Sequence, residues 1–328
     1  MQSYNKLRKK HIPVHFSISL TNRCNLSCLH CFRPPNFKNE LSTWELKEII
    51  NQLSQEGCMN LTLTGGEPFL REDFFEIASF ARDKGFSLNI LSNNTLITEE
   101  NIEKLKELNC ELRITLYGLT AKAHDSITQT KGSFDKAIKG IKLLEKYRIP
   151  FSIAVVVMKQ NFFEIERLQR DLKKKKWRFR NDFVLYPTSG GSPAPLEYRV
   201  SEKQLEEATK NRLLDNRDGL SRNVDKEMAL SDIGRLTGYI SSRGKVYPSL
   251  FLKIEVGDLR KGSFRDIWNY SSKLNWLRDL KLKDIPCFNC PYNQDCNRDL
   301  GLIRDENGNI SVASEWCRVM EARKEVNK

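Results

Sequence analysis

Three cysteines near the start of the chain have the spacing of ligands to a metal centre. Cys24, Cys28 and Cys31 are separated by three and two residues and follow a strand-like segment. A structural zinc ion or a closed iron-sulfur cluster normally takes four thiolates. A cubane cluster held by these three alone would keep one iron open to a small molecule, whereas His30 or His11 would complete a zinc site. The spacing predicts a metal centre and leaves both chemistries open.

A second group of cysteines lies near the C-terminus. Four thiolates form a closed set that fits either zinc or an iron-sulfur cluster. Nine cysteines in a chain without a secretory signal favour metal or redox chemistry over disulfides, because the cytosol keeps thiols reduced. We therefore expect a cytoplasmic protein with two metal centres. The members of the second group are Cys287, Cys290, Cys296 and Cys317.

The charge of the chain predicts an anionic partner. The formal net charge is +12, and the densest basic run is KKKKWRFR at residues 173–180. No recognised nucleic-acid-binding motif accompanies this run, which argues against nucleic acid and leaves an acidic peptide or a phosphorylated small molecule. No segment approaches the ~20 apolar residues that a membrane span needs, so no membrane segment is expected.

Alternating strand and helix patterns between residues 14 and 187 must position these groups. Ser42 and Glu45 form a capping box for the first clear helix, and Gly57 ends it. The predicted apolar stripe of this helix is Leu46, Ile49, Ile50 and Leu53. Ser133 is the predicted cap of a later helix. Alternation of this kind implies parallel strands joined by right-handed crossovers, in an α/β barrel, complete or incomplete, or in a doubly wound sheet. The six predicted strands are 15–20, 60–64, 86–92, 111–117, 151–158 and 179–187.

The C-terminal ends of such strands carry the chemistry in α/β folds. The first cysteine group follows the first predicted strand, and GGEP at residues 65–68 follows the second. Two glycines allow a ligand to approach the backbone closely, and Glu67 offers a carboxylate to a cationic amino group. SNNT at residues 92–95 follows the third strand. The motifs therefore gather at one edge of the predicted sheet.

Taken together, these motifs resemble the radical S-adenosylmethionine (SAM) superfamily. The match runs over residues 14–187 and includes the segment ITLYGLTAKAHDSITQTKGSF at 114–134. It implies a partial (β/α)6 TIM-like barrel in which the first three cysteines hold a 4Fe-4S cluster and SAM occupies the open iron. Reductive cleavage of SAM would yield a 5′-deoxyadenosyl radical that removes a hydrogen atom from a substrate. An external one-electron donor of the flavodoxin or ferredoxin type is expected.

The resemblance also implies which residues bind SAM. The two glycines and Glu67 would hold the methionyl amino group, Ser92 and Asn93 would approach the methionyl or ribose portion, and His30 would lie near the adenine. Thr115 stands where the family usually has a serine-like contact. The implied residues are His30, Gly65, Gly66, Glu67, Pro68, Ser92, Asn93 and Thr115.

The C-terminal cysteines resemble the SPASM or twitch extension of the same superfamily. Its full form has seven cysteines and two auxiliary 4Fe-4S clusters, whereas Leu300 and Ser249 stand here where further cysteines are expected. The resemblance implies one auxiliary cluster bound by the four C-terminal cysteines. In some relatives with one such cluster, an upstream cysteine returns a hydrogen atom to the substrate radical. Ser249 lies at that position, and its O–H bond is too strong for this role.

The expected organisation has four parts. An N-terminal arm (1–13) precedes the partial barrel (14–190), a linker or helical segment (191–235) begins within the loop PTSGGSPAP at 187–195, and an auxiliary-cluster domain covers 236–328. In this last part we expect a hairpin around Arg243 and Gly244 and two short helices.

The expected function is modification of a ribosomally synthesised peptide by crosslinking, oxidation or epimerisation. One alternative is a dehydrogenase or epimerase acting on a sugar or an aminoglycoside. Another, of a different class, is a non-catalytic zinc or nucleic-acid-binding protein. The candidate catalytic or substrate-side residues are Ser249, Asp232, His124, Asp125, Tyr117 and Tyr186.

Overall fold

A computed structural model describes residues 2–33, 38–214, 232–291, 302–304, 310–312 and 317–322. None of the helices in these segments combines the length and the apolar character that crossing a membrane requires. The helices are α1 (Gln2–Lys9), α2 (Thr43–Gln55), α3 (Phe74–Asp83), α4 (Glu99–Glu107), α5 (Ala121–Thr128), α6 (Ser133–Lys146), α7 (Phe162–Lys174), α8 (Glu202–Lys210), α9 (Phe264–Tyr270) and α10 (Ser272–Asp279), and residues 317–322 are also helical. The strands are β1 (His15–Ser19), β2 (Asn60–Thr64), β3 (Ser87–Ser92), β4 (Glu111–Thr115), β5 (Phe151–Val156), β6 (Arg178–Asp182), β7 (Thr237–Ile240), β8 (Lys245–Tyr247), β9 (Gly257–Asp258), β10 (Leu302–Arg304) and β11 (Ile310–Val312).

The chain divides into two compact units, each built from separate segments of sequence. The first unit takes in residues 1–22, 36–89 and 220–313, and the second takes in residues 23–35, 90–219 and 314–328. The GGEP motif therefore belongs to the first unit, and the first cysteine group belongs to the second.

The strands of the first unit have the order β2-β1-β7-β8-β9. Strand β1 pairs in parallel with β2, with His15 opposite Asn60, and also in parallel with β7, with His15 opposite Thr237. Strands β7 and β8 are antiparallel and form the hairpin expected around Arg243 and Gly244, which is confirmed. The addition of β7 beside β1 was not predicted, because it joins segments far apart in the sequence.

Aromatic rings from β1 and α9 form part of the core of the first unit. The ring of Phe16 lies 5.1 Å from the ring centroids of both Phe264 and Trp268. Gly238 of β7 leaves the space for Phe16, since a Cβ atom there would lie 2.3 Å from the Phe16 Cζ atom. The indole Nε1 of Trp268 donates to the carbonyl of His11 at 2.6 Å, which ties α9 to the segment before β1.

Helix α2 follows its predicted pattern closely. The capping box is present, with the Glu45 amide donating to Ser42 Oγ at 3.2 Å and the Ser42 amide donating to Glu45 Oε2 at 2.8 Å. Arg260 Nε also lies 2.7 Å from Glu45 Oε1, and this hydrogen bond lowers the pKa of Glu45 to about 2. The buried residues of the helix are those of the predicted apolar stripe, Leu46, Ile49, Ile50 and Leu53.

The strands of the second unit have the order β3-β4-β5-β6, and β3 enters this unit at residue 90. The pairs β4–β5 and β5–β6 are parallel, with Leu112 opposite Phe151 and Ser152 opposite Arg178. Helices separate the strands in sequence, as predicted. Among the described strands, β6 pairs with β5 alone and is therefore an edge strand of this unit. The parallel α/β arrangement confirms the predicted partial barrel.

The predicted cap of α6 was wrong. Ser133 is the first residue of the helix, and Gly132 occupies the N-cap position. The Asp125 carboxylate takes the role of the cap, because it accepts hydrogen bonds from the amides of Gly132 at 2.6 Å and Phe134 at 2.8 Å and from Ser133 Oγ at 2.8 Å. Because this carboxylate belongs to the preceding helix, a local capping pattern in the sequence does not reveal it.

We expect Gly238→Ala to destabilise the protein by about 1–3 kcal/mol, because the new methyl group must displace a packed aromatic ring. Urea unfolding of the purified chain measures this change. Gly262→Ala is the matched control, since nothing lies within 4 Å of a Cβ atom built there. Equal stability of the two variants would contradict the packing account.

Candidate functional site

The first three cysteines lie on one loop of the second unit. The amide of Cys31 donates to the carbonyl of Cys28 at 3.0 Å, which closes a tight turn between these two cysteines. The amides of Ser27 and Leu29 each donate at 3.0 Å to carbonyls at the end of α5. All three cysteines are half-buried. The backbone of the loop is therefore anchored to the scaffold on both sides of Cys28.

Each sulfur of this loop receives a hydrogen bond from a different side chain. Donors that point at sulfur stabilise the thiolate and the iron-bound state. Among the described residues no three His, Cys, Asp or Glu side chains converge on a single ion. The thiolates of a cubane bind separate irons, so a cluster does not need such convergence. The contacts are Asn93 Nδ2 to Cys24 Sγ at 3.8 Å, Tyr117 Oη to Cys28 Sγ at 3.6 Å and Arg33 Nε to Cys31 Sγ at 3.2 Å.

A small amide and hydroxyl network joins the SNNT motif to the cysteine loop. Asn93 Nδ2 donates to Asn25 Oδ1 at 2.9 Å, and Asn25 Nδ2 donates to Thr95 Oγ1 at 2.7 Å. Thr95 Oγ1 in turn donates to Asn93 Oδ1 at 2.7 Å. Asn25 and Thr95 were not predicted to have a role, although Asn25 lies within the first cysteine motif and Thr95 within SNNT.

Tyr117 connects two residues of the cysteine loop. Its hydroxyl lies 2.8 Å from His30 Nε2 and 3.6 Å from Cys28 Sγ. Burial raises the pKa of the Tyr117 hydroxyl well above its usual value and lowers the pKa of His30 to about 4. At neutral pH both groups are uncharged. With the imidazole proton on Nε2, His30 donates to Tyr117, and Tyr117 donates to Cys28.

The GGEP motif forms a narrow backbone turn in the first unit. Gly65 has a φ of +151°, and a Cβ atom there would lie 2.4 Å from the carbonyl oxygen of Thr21, so only glycine fits. The Gly66 amide donates to the same oxygen at 2.7 Å. Glu67 is fully buried, and its carboxylate accepts from the Phe69 amide at 3.3 Å. A glycine-only turn with a buried carboxylate fits a ligand that carries an ammonium group.

Residues that sequence analysis missed hold the end of β1 beside this turn. Thr21 Oγ1 donates to Glu40 Oε2 at 2.9 Å. The guanidinium of Arg71 donates from Nη1 to the carbonyls of Leu20 at 3.0 Å and Leu41 at 2.9 Å. No local sequence pattern signals these contacts, because each joins a loop to a distant segment.

Two further residues implied to bind SAM lie at the ends of strands. Ser92 is buried at the end of β3, and its hydroxyl accepts from the Asn94 amide at 2.8 Å. Asn94 adopts a φ of +63°, which asparagine tolerates better than most residues. Thr115 is the last residue of β4, opposite Ala154 of β5.

The candidate catalytic residues make contacts that support the fold. His124 is buried, and its Nδ1 accepts from the Tyr117 amide at 3.3 Å. Asp125 caps α6, as described above. Asp232 pairs with Arg8 Nε at 2.7 Å and accepts from the Tyr4 hydroxyl. The hydroxyl of Ser249 accepts from the Leu252 amide at 3.0 Å.

The surroundings of Tyr186, a further substrate-side candidate, change the pKa of its hydroxyl. Burial raises the pKa of its hydroxyl above the usual value, and the nearby Asp182 adds to this effect. The hydroxyl therefore stays protonated at neutral pH.

Three of the four C-terminal cysteines lie in described segments, whereas Cys296 lies outside the described residues. The amide of Cys290 donates to the carbonyl of Cys287 at 3.2 Å, which is the same turn as that between Cys28 and Cys31. Cys317 begins the helix at 317–322. Cys287, Cys290 and Cys317 are all half-buried.

Comparison with known proteins identifies the class. The model of the Radical SAM superfamily matches residues 18–172, and the SPASM model of an iron-sulfur cluster-binding domain matches residues 233–291. The chain belongs to the radical SAM superfamily and carries a SPASM domain. Its cofactors are SAM and two 4Fe-4S clusters, as predicted.

Individual relatives differ in the substrates that their names imply. An AdoMet-dependent heme synthase of Methanosarcina barkeri (strain Fusaro / DSM 804) is 30% identical over 87% of this chain and 90% of that protein. The antilisterial bacteriocin subtilosin biosynthesis protein AlbA of Bacillus subtilis (strain 168) is 31% identical over 54% of this chain and 43% of that protein. A solved structure of native anSMEcpe with bound AdoMet and a Cp18Cys peptide has a TM-score of 0.72 and 18% identity, and it covers 96% of both chains.

The buried His124 predicts a loss of stability in acid. Burial lowers its pKa from 6.5 to about 4. Because the pKa of His124 is lower in the folded state than in the unfolded state, its neutral imidazole contributes fully to the free energy of unfolding above pH 6.5. This contribution is lost as the pH falls towards 4. The contribution amounts to roughly 3 kcal/mol at most. His124→Asn keeps an acceptor for the Tyr117 amide and removes the titration.

Urea unfolding at pH 7 and at pH 4.5 measures this effect. Relative to His124→Asn, the wild-type chain is expected to lose stability on acidification. A difference between the two proteins that stays constant with pH would contradict the assignment.

Proposed function

We propose that this chain is a radical SAM enzyme that oxidises a ribosomally synthesised peptide, with a crosslink or a dehydrogenation as the product. Cys24, Cys28 and Cys31 bind the cluster that SAM approaches. The auxiliary cluster is bound by Cys287, Cys290, Cys296 and Cys317. The chemistry that the bound cofactors supply is reductive cleavage of SAM and removal of a hydrogen atom from the substrate by the 5′-deoxyadenosyl radical.

The residues proposed to bind SAM are those that the resemblance to the superfamily implies. The Gly65–Gly66 turn, Glu67 and Pro68 hold the methionyl ammonium group. The narrow turn supports this role, since it excludes a Cβ atom at Gly65 and buries the carboxylate of Glu67 completely. The other proposed contacts come from His30, Ser92, Asn93 and Thr115.

The observation that carries the proposal of oxidation is the serine at position 249. Epimerisation requires that a hydrogen atom return to the substrate radical, and a hydroxyl O–H bond is too strong to supply it. The Ser249 hydroxyl also accepts a hydrogen bond from the Leu252 amide. Outside the proposed ligand sets, the described cysteines are Cys58 and Cys110, which are 6% and 3% exposed in the core. When bound, the auxiliary cluster would accept the electron that the substrate radical loses on oxidation, and a proton would leave the substrate at the same stage.

A peptide substrate is supported by charge and by a relative. A net charge of +12 favours an acidic chain over a polycationic aminoglycoside. The name of AlbA, which is 31% identical over 54% of this chain, places that protein in bacteriocin biosynthesis. The enzyme also requires an external one-electron donor, for which a flavodoxin or a ferredoxin is the proposed class.

One observation favours a second substrate class. The heme synthase of M. barkeri matches nearly the whole length of both proteins, whereas AlbA matches about half of this chain. Porphyrins that precede or resemble heme carry carboxylates, so the basic charge suits them as well. Oxidation of a carboxylated porphyrin is therefore the second proposal.

The two clusters are expected to respond differently to the loss of one thiol. Cys28→Ala removes a ligand of the SAM-binding cluster and should abolish formation of 5′-deoxyadenosine. Cys290→Ala removes a ligand of the auxiliary cluster, so 5′-deoxyadenosine should still form while turnover of the substrate stops. Anaerobic reconstitution should give about eight irons per wild-type chain. If both variants behave alike, the proposed division of roles between the clusters is wrong.

Mass spectrometry of defined substrates distinguishes the two substrate classes. An acidic precursor peptide, co-expressed with the enzyme, should lose the mass of two hydrogen atoms per modification. An unchanged mass with an altered configuration at one residue would contradict oxidation. The same assay with a carboxylated iron porphyrin tests the second class, and the Cys28→Ala variant is the inactive control in each case.

A further inference from the structure

We propose that Arg33 is a positioning residue that sets the reduction potential of the SAM-binding cluster through its hydrogen bond to Cys31. This inference rests on the proposed ligand set of the first cluster, and it holds whichever substrate the enzyme oxidises. It concerns the first electron transfer, which must occur before SAM is cleaved.

The geometry singles out Arg33 among the three donors to sulfur. Its Nε lies 3.2 Å from Cys31 Sγ, which is the shortest of the three contacts. The side chains that donate to Cys24 and Cys28 belong to an asparagine and a tyrosine and are neutral. The guanidinium of Arg33 is permanently charged, because its pKa lies far above physiological pH. Of these three contacts, only that of Arg33 places a full positive charge beside a ligand.

The electrostatic consequence follows from the charge of the cluster. A 4Fe-4S cluster with three thiolate ligands becomes more negative when it accepts an electron. A nearby cation stabilises the reduced form more than the oxidised form and so raises the reduction potential. Arg33 and Cys31 are both half-buried, which strengthens their interaction relative to one in water. The neutral donors polarise their sulfurs in the same direction but with a smaller effect.

Two other roles for Arg33 would give different results when the residue is substituted. A guanidinium can bind the carboxylate of SAM, in which case its removal would weaken SAM binding and leave the potential of the SAM-free cluster unchanged. It can also simply stabilise the loop, in which case its removal would lower iron content. Only the electrostatic role changes the potential of a fully loaded cluster in the absence of SAM.

The experiment is a redox titration of the reconstituted full-length chain, followed by electron paramagnetic resonance. The signal that changes when SAM is added belongs to the cluster with the open iron. It can therefore be distinguished from the signal of the auxiliary cluster. Arg33→Gln keeps a hydrogen-bond donor and removes the charge, whereas Arg33→Lys keeps the charge. Lys122→Gln is the control, because it removes one positive charge from an exposed position on α5 of the same unit.

We expect Arg33→Gln to disfavour reduction at least tenfold, which corresponds to about 59 mV for a one-electron couple. Arg33→Lys should restore most of this change, and Lys122→Gln should show none. An unchanged potential in Arg33→Gln at full iron content would overturn the inference, with or without weaker SAM binding. Loss of iron in both Arg33 variants would also overturn it, since the contact would then serve the loop.

Failure of the ligand set itself is separately visible. Cys31→Ala should remove the SAM-sensitive signal and lower the iron content by one cluster. If that variant keeps both, Cys31 is not a ligand, and the proposed site fails before the role of Arg33 is tested.

Discussion

An open coordination position on iron is the constraint on which the rest of this protein depends. In the proposed site, the loop from residue 24 to 31 must hold three sulfurs in place and offer no fourth ligand. The structure meets the first requirement with backbone hydrogen bonds from Ser27 and Leu29 to the end of α5 and with the turn between Cys28 and Cys31. Side chains from three different segments then approach the three sulfurs. The rigidity of the loop therefore comes from its surroundings as well as from its own sequence.

Local patterns predicted much of this architecture. The capping box of α2 and its apolar stripe depend on residues three or four positions apart, and both were predicted. The Asp125 cap of α6 and the Asn25–Thr95 contact depend on residues that approach only after folding. The pairing of β1 with β7 is likewise invisible in the sequence of either strand. Features within one helix or one strand end were thus predictable, and those that join distant segments were not.

In the candidate site, too, local features were predictable and contacts made only in the folded chain were not. The spacing of the cysteines, the GGEP motif and the SNNT motif were all identified from the sequence, because short backbone segments create them. Gly65 is a clear example, since the need for glycine arises from the carbonyl of Thr21 at the end of the neighbouring strand. Arg33 follows Cys31 by two residues, yet nothing in its sequence context indicates that its Nε points back at sulfur. Substrate preference is still less visible, since relatives with a similar scaffold have names that imply different substrates.

The parallel pairing of β1 with β7 has a consequence for the way the protein is made. Strand β1 leaves the ribosome well before its partner β7, which lies far later in the sequence. Until then, one side of β1 presents unpaired backbone groups that other chains can bind. Contacts between such distant segments also slow folding. During synthesis the nascent chain can therefore aggregate through this strand. It should need protection by chaperones until the hairpin of β7 and β8 has been translated.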